Sequence, residues 1–236
     1  MKAILAIETA TDACSVALYQ GGEFRQCHEV LPRQHSQRLF PMLSELLPPG
    51  NLRDQGIEAL AYGCGPGSFT GLRIAASAVQ GLAYASDLPV VPVSTLSCQA
   101  ATALRQGLTD GRRTVLSTVD ARINEIYWAF FSCDSGAPVL RAGPFATPPE
   151  QVLLPDKLEF IDIVGSGARY LDRFPGALRD SVAEAHPDLL PEARDLVPLA
   201  HSSLAAEDWQ TALEVRPVYV RDEISWKKLG EQGRPQ

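Results

Sequence analysis

The sequence predicts an α/β protein built from two related halves, and three observations carry that expectation. An apolar run from Ile57 to Tyr62, broken only by Glu58, meets the stretch Gly63-Cys64-Gly65-Pro66-Gly67-Ser68-Phe69-Thr70-Gly71, and an alanine-rich run from Ile74 to Ala85 follows. That order reads as strand, tight turn and helix. A hairpin pattern opens the chain near Ile4, and a second near Val115 echoes it. The composition, 45% hydrophobic and 21% charged over 236 residues, is that of an ordinary globular chain long enough to bury a core.

The elements follow in order. Ala3 to Ile7 is a short apolar strand, Glu8 to Asp12 a polar turn, Cys14 to Tyr19 a second strand, and Gly21-Gly22 a turn into a third near Phe24 to Val30. The first turn sets two hydroxyls between two carboxylates; it could hold a metal-bound phosphate, or be a hairpin turn capping its own backbone. Leu39, Met42, Leu43, Leu46 and Leu47 then fall at helical spacing, with Ser36 as a candidate cap and Pro48-Pro49-Gly50 as the stop. Their stripe suits a core or a partner helix.

Four glycines between positions 63 and 71 require a backbone geometry that side chains would forbid, since each costs roughly 0.5–1 kcal/mol in regular structure. The helix after them, capped by Ser68 or Thr70, offers N–H groups to a phosphate or to another chain. Beyond Arg73 this helix bears no charge, so it needs cover on every side, in part from a second helix that could belong to a partner. Leu88 to Val93 is the next strand, and Ser94-Thr95-Leu96 caps a helix to about Leu104. Thr114 to Val119 and Glu125 to Phe131 form the second hairpin, turning at Asp120 to Asn124. Eleven of the eighteen prolines lie from Pro138 onward, which cuts the second half into small β and α pieces separated by long loops, among them a short apolar piece at Phe160 to Val164 and a helix at Val197 to Trp209. The first lobe is expected over 1–104, completed by 215–230, the second over 105–214, and a tail over 231–236.

Several function classes are excluded. The glycine stretch lacks the lysine of a P-loop and the last glycine of a dinucleotide fingerprint. The histidines, His28, His35, His186 and His201, include no pair three or four residues apart, so no metal site is expected. No G-x-S-x-G elbow occurs. The five cysteines, with no C-x-x-C, suit a reducing compartment. A carboxylate at position 8 is too early for a signal-peptide core, and the longest charge-free run, Leu88 to Leu104, contains two prolines. A cytoplasmic protein is expected. A net charge of −7 would repel a polyanion, so another subunit would have to grip any nucleic acid.

Ile4 to Thr11, His35-Ser36-Gln37-Arg38-Leu39-Phe40-Pro41-Met42, Gly65-Pro66-Gly67-Ser68-Phe69-Thr70-Gly71-Leu72-Arg73, Val93-Ser94-Thr95-Leu96, Asp120-Ala121-Arg122 with Glu125-Ile126-Tyr127-Trp128, and Pro217-Val218-Tyr219 with Trp226-Lys227-Lys228 together resemble the bacterial TsaB family, also called YeaZ. The resemblance implies the two-lobed fold of the actin, Hsp70 and sugar-kinase group, with duplicated ribonuclease H-like sheets. It implies a part in forming N6-threonylcarbamoyladenosine at position 37 of tRNAs that read ANN codons. The transfer would be performed by a paralogue, TsaD, with a metal-binding H-x-x-x-H, while here Leu39 stands in the second histidine's place. A TsaE-like ATPase would join, and tRNA would be reached only indirectly.

The resemblance makes the first-lobe helices the heterodimer interface, or a homodimer interface when TsaD is absent. The expected contact residues are His35, Arg38, Leu39, Met42 and Leu43 on one helix and Leu72, Arg73, Ala75, Ala76 and Val79 on the other. The chain is therefore expected to be a non-catalytic activator of TsaD, with no required cofactor and ATP or ADP, where it enters, at the shared interface. The alternative is a weak ATPase or phosphotransferase that binds phosphate through Glu8, Thr9, Thr11, Gly65, Gly67, Ser68, Thr70 and Gly71. Glu8 departs from the shorter aspartate usual in this family, which weakens that alternative.

Overall fold

The structure, a computed structural model, describes residues 1–111, 113–155 and 160–220. Mostly apolar runs at the start of the chain, buried on both faces, form β1 (Ile4–Glu8) and β2 (Ala13–Gln20), and the Gly21-Gly22 turn, with φ of 62° and 90°, leads into β3 (Glu23–Val30). Helix α1 (His35–Leu46) follows, then β4 (Ala59–Gly65), α2 (Phe69–Ser86), β5 (Val90–Ser94) and α3 (Thr95–Arg105). The second half runs β6 (Thr114–Arg122), β7 (Glu125–Ser132), β8 (Val139–Thr147), β9 (Ile161–Val164), α4 (Gly176–Ser181), β10 (Val182–His186) and α5 (Ala193–Ala205).

The two sheets have one topology. The first is ordered β3-β2-β1-β4-β5 and the second, read the same way, β8-β7-β6-β9-β10. In each, three antiparallel strands form a meander and two parallel strands extend it. This is the expected α/β two-lobed fold of the actin, Hsp70 and sugar-kinase group, duplicated in architecture without a repeat in sequence.

The halves exchange their last helices. Helix α3 buries Leu96, Ala100 and Ala103 against Val115, Val119, Ala129 and Phe131 of the second sheet. Helix α5 buries Ala193, Leu196, Val197 and Ala200 against Ile4, Ala6, Ala61 and Val91 of the first. A division at residue 105 follows chain order; in space, residues 95–104 lie on the second sheet and 193–205 on the first. The same exchange explains why α5 starts four residues before the expected Val197: Ala193 N–H donates to Ser15 Oγ at 2.9 Å, a tertiary cap with no local signal. Val215 returns to the first core, while Trp226 to Lys228 and the tail lie outside the described residues. Among the described residues no helix is long and apolar enough to cross a membrane.

Candidate functional site

The glycine stretch ends β4 and starts α2, and the β1–β2 turn presses directly on it. Ser68 N–H donates to Ala10 O at 2.7 Å, and Thr9 Oγ1 donates to Gly71 O at 2.8 Å. A Cβ at Gly71 would overlap the Thr9 carbonyl oxygen, and one at Gly67 the Ala10 carbonyl oxygen. Gly65, at φ 120°, is crossed by the 215–220 strap: Val218 N–H donates to Cys64 O at 2.8 Å, and Tyr62 Oη donates to Arg216 O at 2.9 Å. These glycines are therefore required by close approach of the chain to itself.

Glu8 is wholly buried at the floor of this contact. Its Oε1 accepts from Ala10 N–H at 2.6 Å and its Oε2 from Thr95 Oγ1 at 3.1 Å. The carboxylate rests on Gly63, where a Cβ would overlap it. Burial pushes its pKa up to about 7, against the hydrogen bonds from Ala10, Thr95 and Thr9 that favour the anion. Thr9 is fully buried as well, while Thr11 turns its hydroxyl back to Ala13 N–H at 3.3 Å. Of the residues expected at a phosphate, Ser68 and Thr70 alone are exposed, and Ser68 Oγ accepts from Gly71 N–H at 3.3 Å as the helix cap. The structure thus brings Glu8, Thr9, Gly67, Ser68 and Gly71 together, but around each other. Neighbouring thiols are not activated: burial pushes Cys64 up to about 12 and Cys14 up to about 11.

The residues expected at the partner interface divide sharply. His35, Leu39, Met42, Leu43, Leu72, Ala75, Ala76 and Val79 are all buried within the chain. The stripe on α1 packs with Ala75, Ala76 and Val79 of α2 in the core over the first sheet, so its apolar face is already covered. His35 Nε2 pairs with Ala13 O at 3.1 Å. The interface expectation for these eight side chains is corrected by burial: they hold the two helices on the sheet, and a partner would meet their neighbours. Arg38 is half-buried and bound by Glu29 at 2.6 Å and Glu45 at 2.8 Å, which leaves Arg73 as the exposed member of the expected set.

What the two helices do present is different. Phe40 on α1 is 56% exposed, and Phe69 and Tyr84 on α2 are 51% and 73% exposed. Between them α2 displays Arg73, Ser77, Gln80 and Gly81. The Arg73 guanidinium lies 3.6 Å over the Phe69 ring, and its Nε donates to Tyr219 Oη at 3.2 Å, so the strap and α2 form one surface. Sequence reasoning missed Tyr219 and Thr95 as partners of Arg73 and Glu8, because 146 and 87 residues separate them along the chain. A cleft of about 440 Å³ lies elsewhere, between the end of β3 and residues 185–192, lined by His28, His186 and Glu192 among others.

Comparison with known proteins adds the lineage. Residues 27–135 match the family model described as "TsaD: tRNA N6-adenosine threonylcarbamoyltransferase". The tRNA threonylcarbamoyladenosine biosynthesis protein TsaB of Escherichia coli is 37% identical over 233 residues, covering 96% of this chain and 97% of that protein. The Haemophilus influenzae protein of the same name is 35% identical, with 96% of each chain covered. The solved structure of YeaZ from Pseudomonas aeruginosa superimposes with a TM-score of 0.83 at 37% identity, over 93% of this chain and all of that one.

Proposed function

The chain belongs to the TsaB family, also called YeaZ, and from that premise we propose that it is the non-catalytic partner of a TsaD-like threonylcarbamoyltransferase in tRNA threonylcarbamoyladenosine biosynthesis. One observation carries the non-catalytic part: the site where a phosphate would enter is filled by the chain's own β1–β2 turn, with Glu8 and Thr9 wholly buried in internal hydrogen bonds. A reacting group needs access to its substrate, and these have none. The docking surface in this reading is the exposed side of α1 and α2 with Phe40, Phe69, Arg73 and Tyr84, in place of the buried stripe.

The work is cytoplasmic, where tRNA is modified, and the chain needs no cofactor of its own. Its charge of −7 supports leaving the grip on tRNA to the paralogue, with nucleotide handled by a TsaE-like ATPase. The test is reconstitution. The purified chain, its TsaD-like paralogue and the ATPase are combined with tRNA and the threonylcarbamoyl adenylate, and modified adenosine is measured by nucleoside mass spectrometry. Modification that needs this chain, and survives Thr9→Val, is expected. Unchanged modification without the chain, or ATP hydrolysis by the chain alone that Thr9→Val abolishes, would overturn the proposal.

A further inference from the structure

The cleft at the end of β3 lies between the two lobes, away from the glycine turn. It has a volume of about 440 Å³, with His28 and Val30 of β3 on one wall and residues 185–192, which link β10 to α5, on the other. Gln106 and Leu108, just beyond α3, complete the lining. Thr95, at the opposite end of α3, bonds Glu8, so roughly 15 Å of helix, at about 1.5 Å per residue, stands between the cleft and the sealed turn.

Two imidazoles in this cleft carry buried ring nitrogens with no hydrogen-bond partner, His28 Nδ1 and His186 Nε2. The latter lies 3.4 Å from Glu184 Oε2, an ion pair only when the ring is protonated. Buried polar atoms in folded proteins nearly always find a partner, so each orphan calls for one. Burial holds the His28 imidazole below its usual pKa, which keeps the ring neutral with one acceptor nitrogen.

The charges decide what that partner is. Glu192 accepts from Gln106 Nε2 at 2.7 Å and Gln26 Nε2 at 2.8 Å, and pairs with Arg105 at 2.8 Å. Against burial, the Gln26 hydrogen bond and the Arg105 charge hold its pKa below the ordinary value, so it is an anion. Arg105 is shared with Asp195 at 2.7 Å, and Asp188 on the rim pairs with Arg169 at 2.7 Å. The C-terminal carbonyls of α3 add negative potential beside Gln106. An anionic ligand is therefore repelled, and an apolar one leaves the imidazoles without partners. A cation satisfies both. Among the described residues no group of three acidic, histidine or cysteine side chains could hold a metal ion, so the acceptors are spread along the cleft rather than gathered about one point. The apolar surface of Val30, Leu108 and Leu190 shares the lining with them.

We propose that the cleft binds a linear aliphatic diamine or polyamine, with one ammonium donating to His28 Nδ1 and the Glu192 carboxylate, the methylene stem against Val30, Leu108 and Leu190, and a second ammonium donating to His186 Nε2 beside Asp188. Each ammonium brings up to three N–H donors, and the stem suits the apolar stretch between the acceptors. Such a ligand touches both lobes and stabilises the folded chain by binding it. The proposal goes beyond the docking reading above and stands without it.

The experiment titrates the full chain with putrescine and spermidine by calorimetry and by NMR of the histidine rings, at about 150 mM salt to screen loose surface binding. Butylamine, butanol and butyrate serve as controls. The His28 and His186 resonances should move together, and putrescine should bind about 10-fold or more tighter than butylamine, because its second ammonium is tethered at its acceptor. His28→Leu should weaken binding on the order of 10-fold yet unfold at the same or a higher temperature, since an unpaired buried nitrogen is gone. Val30→Trp, at a residue 57% exposed, should fill the mouth and abolish binding with the fold intact. Unmoved His28 and His186 resonances at saturating spermidine overturn the proposal. So does binding that survives both substitutions, which marks loose association with an acidic surface, and so does equal binding of butyrate. A paralogue that shifts both rings where the amines do not would assign the cleft to a basic side chain of that protein and overturn it equally.

Discussion

The two halves build the same turn and then part ways. In the first, Gly63, Gly67 and Gly71 lie against Glu8, Ala10 and Thr9 of the opening hairpin. In the second, Gly165 and Gly167 follow β9 and lie against Thr118 of the equivalent strand, where a Cβ at Gly165 would overlap the Thr118 carbonyl oxygen and the Gln99 side chain. Ser68 N–H bonds to Ala10 O, and Ser166 Oγ accepts from Asp120 N–H at 2.9 Å. Yet the first turn launches an 18-residue helix with an open side, and the second a 3-10 stretch and a six-residue helix that lean on their own sheet. A glycine-rich turn is thus a packing device in both halves, and the long helix with exposed Phe69 and Tyr84 follows it in only the first.

The comparison can be broken most directly at the glycines. Gly71→Ala and Gly165→Ala should each cost at least about 4 kcal/mol in urea unfolding, because the new methyl meets backbone oxygen that cannot rotate away. A cost below about 1 kcal/mol at either would mean that its turn has slack, and the equivalence of the halves would fail. Next, Leu39→Ala should lose about 2–5 kcal/mol of stability, as a core truncation does at a residue 1% exposed. Folding unchanged in this variant, together with lost binding to the paralogue, would return Leu39 to the interface.

The smallest effect concerns charge. Glu8 has a folded pKa near 7, above its usual value of 4.5, so the fold favours the protonated acid. Its contribution is complete below pH 4.5 and is lost as pH rises through 7. The lost amount is on the order of 3 kcal/mol for a shift of this size. Glu29 and Glu192 shift downward through Arg38 and through Gln26 and Arg105, and so act in the opposite sense. The Glu8→Gln variant separates the two: the stability difference between parent and variant should fall with rising pH between about 4 and 8. A difference independent of pH would show that the carboxylate is not held in its neutral form. The second half has Thr118 at the matching contact, bonded to Val164 O at 2.8 Å, and offers no such titration.

Much of the fold was legible in the residues because the signals are local. Apolar runs on either side of a polar turn marked both hairpins, the Gly63–Gly71 stretch marked the end of β4, and Ser68 and Ser94 were recognisable caps, each accepting from the N–H three residues on. The helical stripe from Leu39 to Leu47 gave α1 but not its destination. Periodicity says which face is apolar, and a core and a partner satisfy it equally; only the packing of Leu39 and Met42 beside Ala75 and Val79 decided between them.

By itself, then, the sequence determined the element types, the repeated order of strands and helices, and the requirement for glycine at the turn, because these follow from backbone sterics and side-chain alternation over a few residues. The tertiary structure alone decided that α3 and α5 change lobes, that Glu8 and Thr9 are sealed by Gly63 and Gly71, and that Tyr219 holds Arg73 in place. Each of these is a contact between residues distant in the chain, and its free energy comes from burial and hydrogen bonds that exist only once the sheets have assembled.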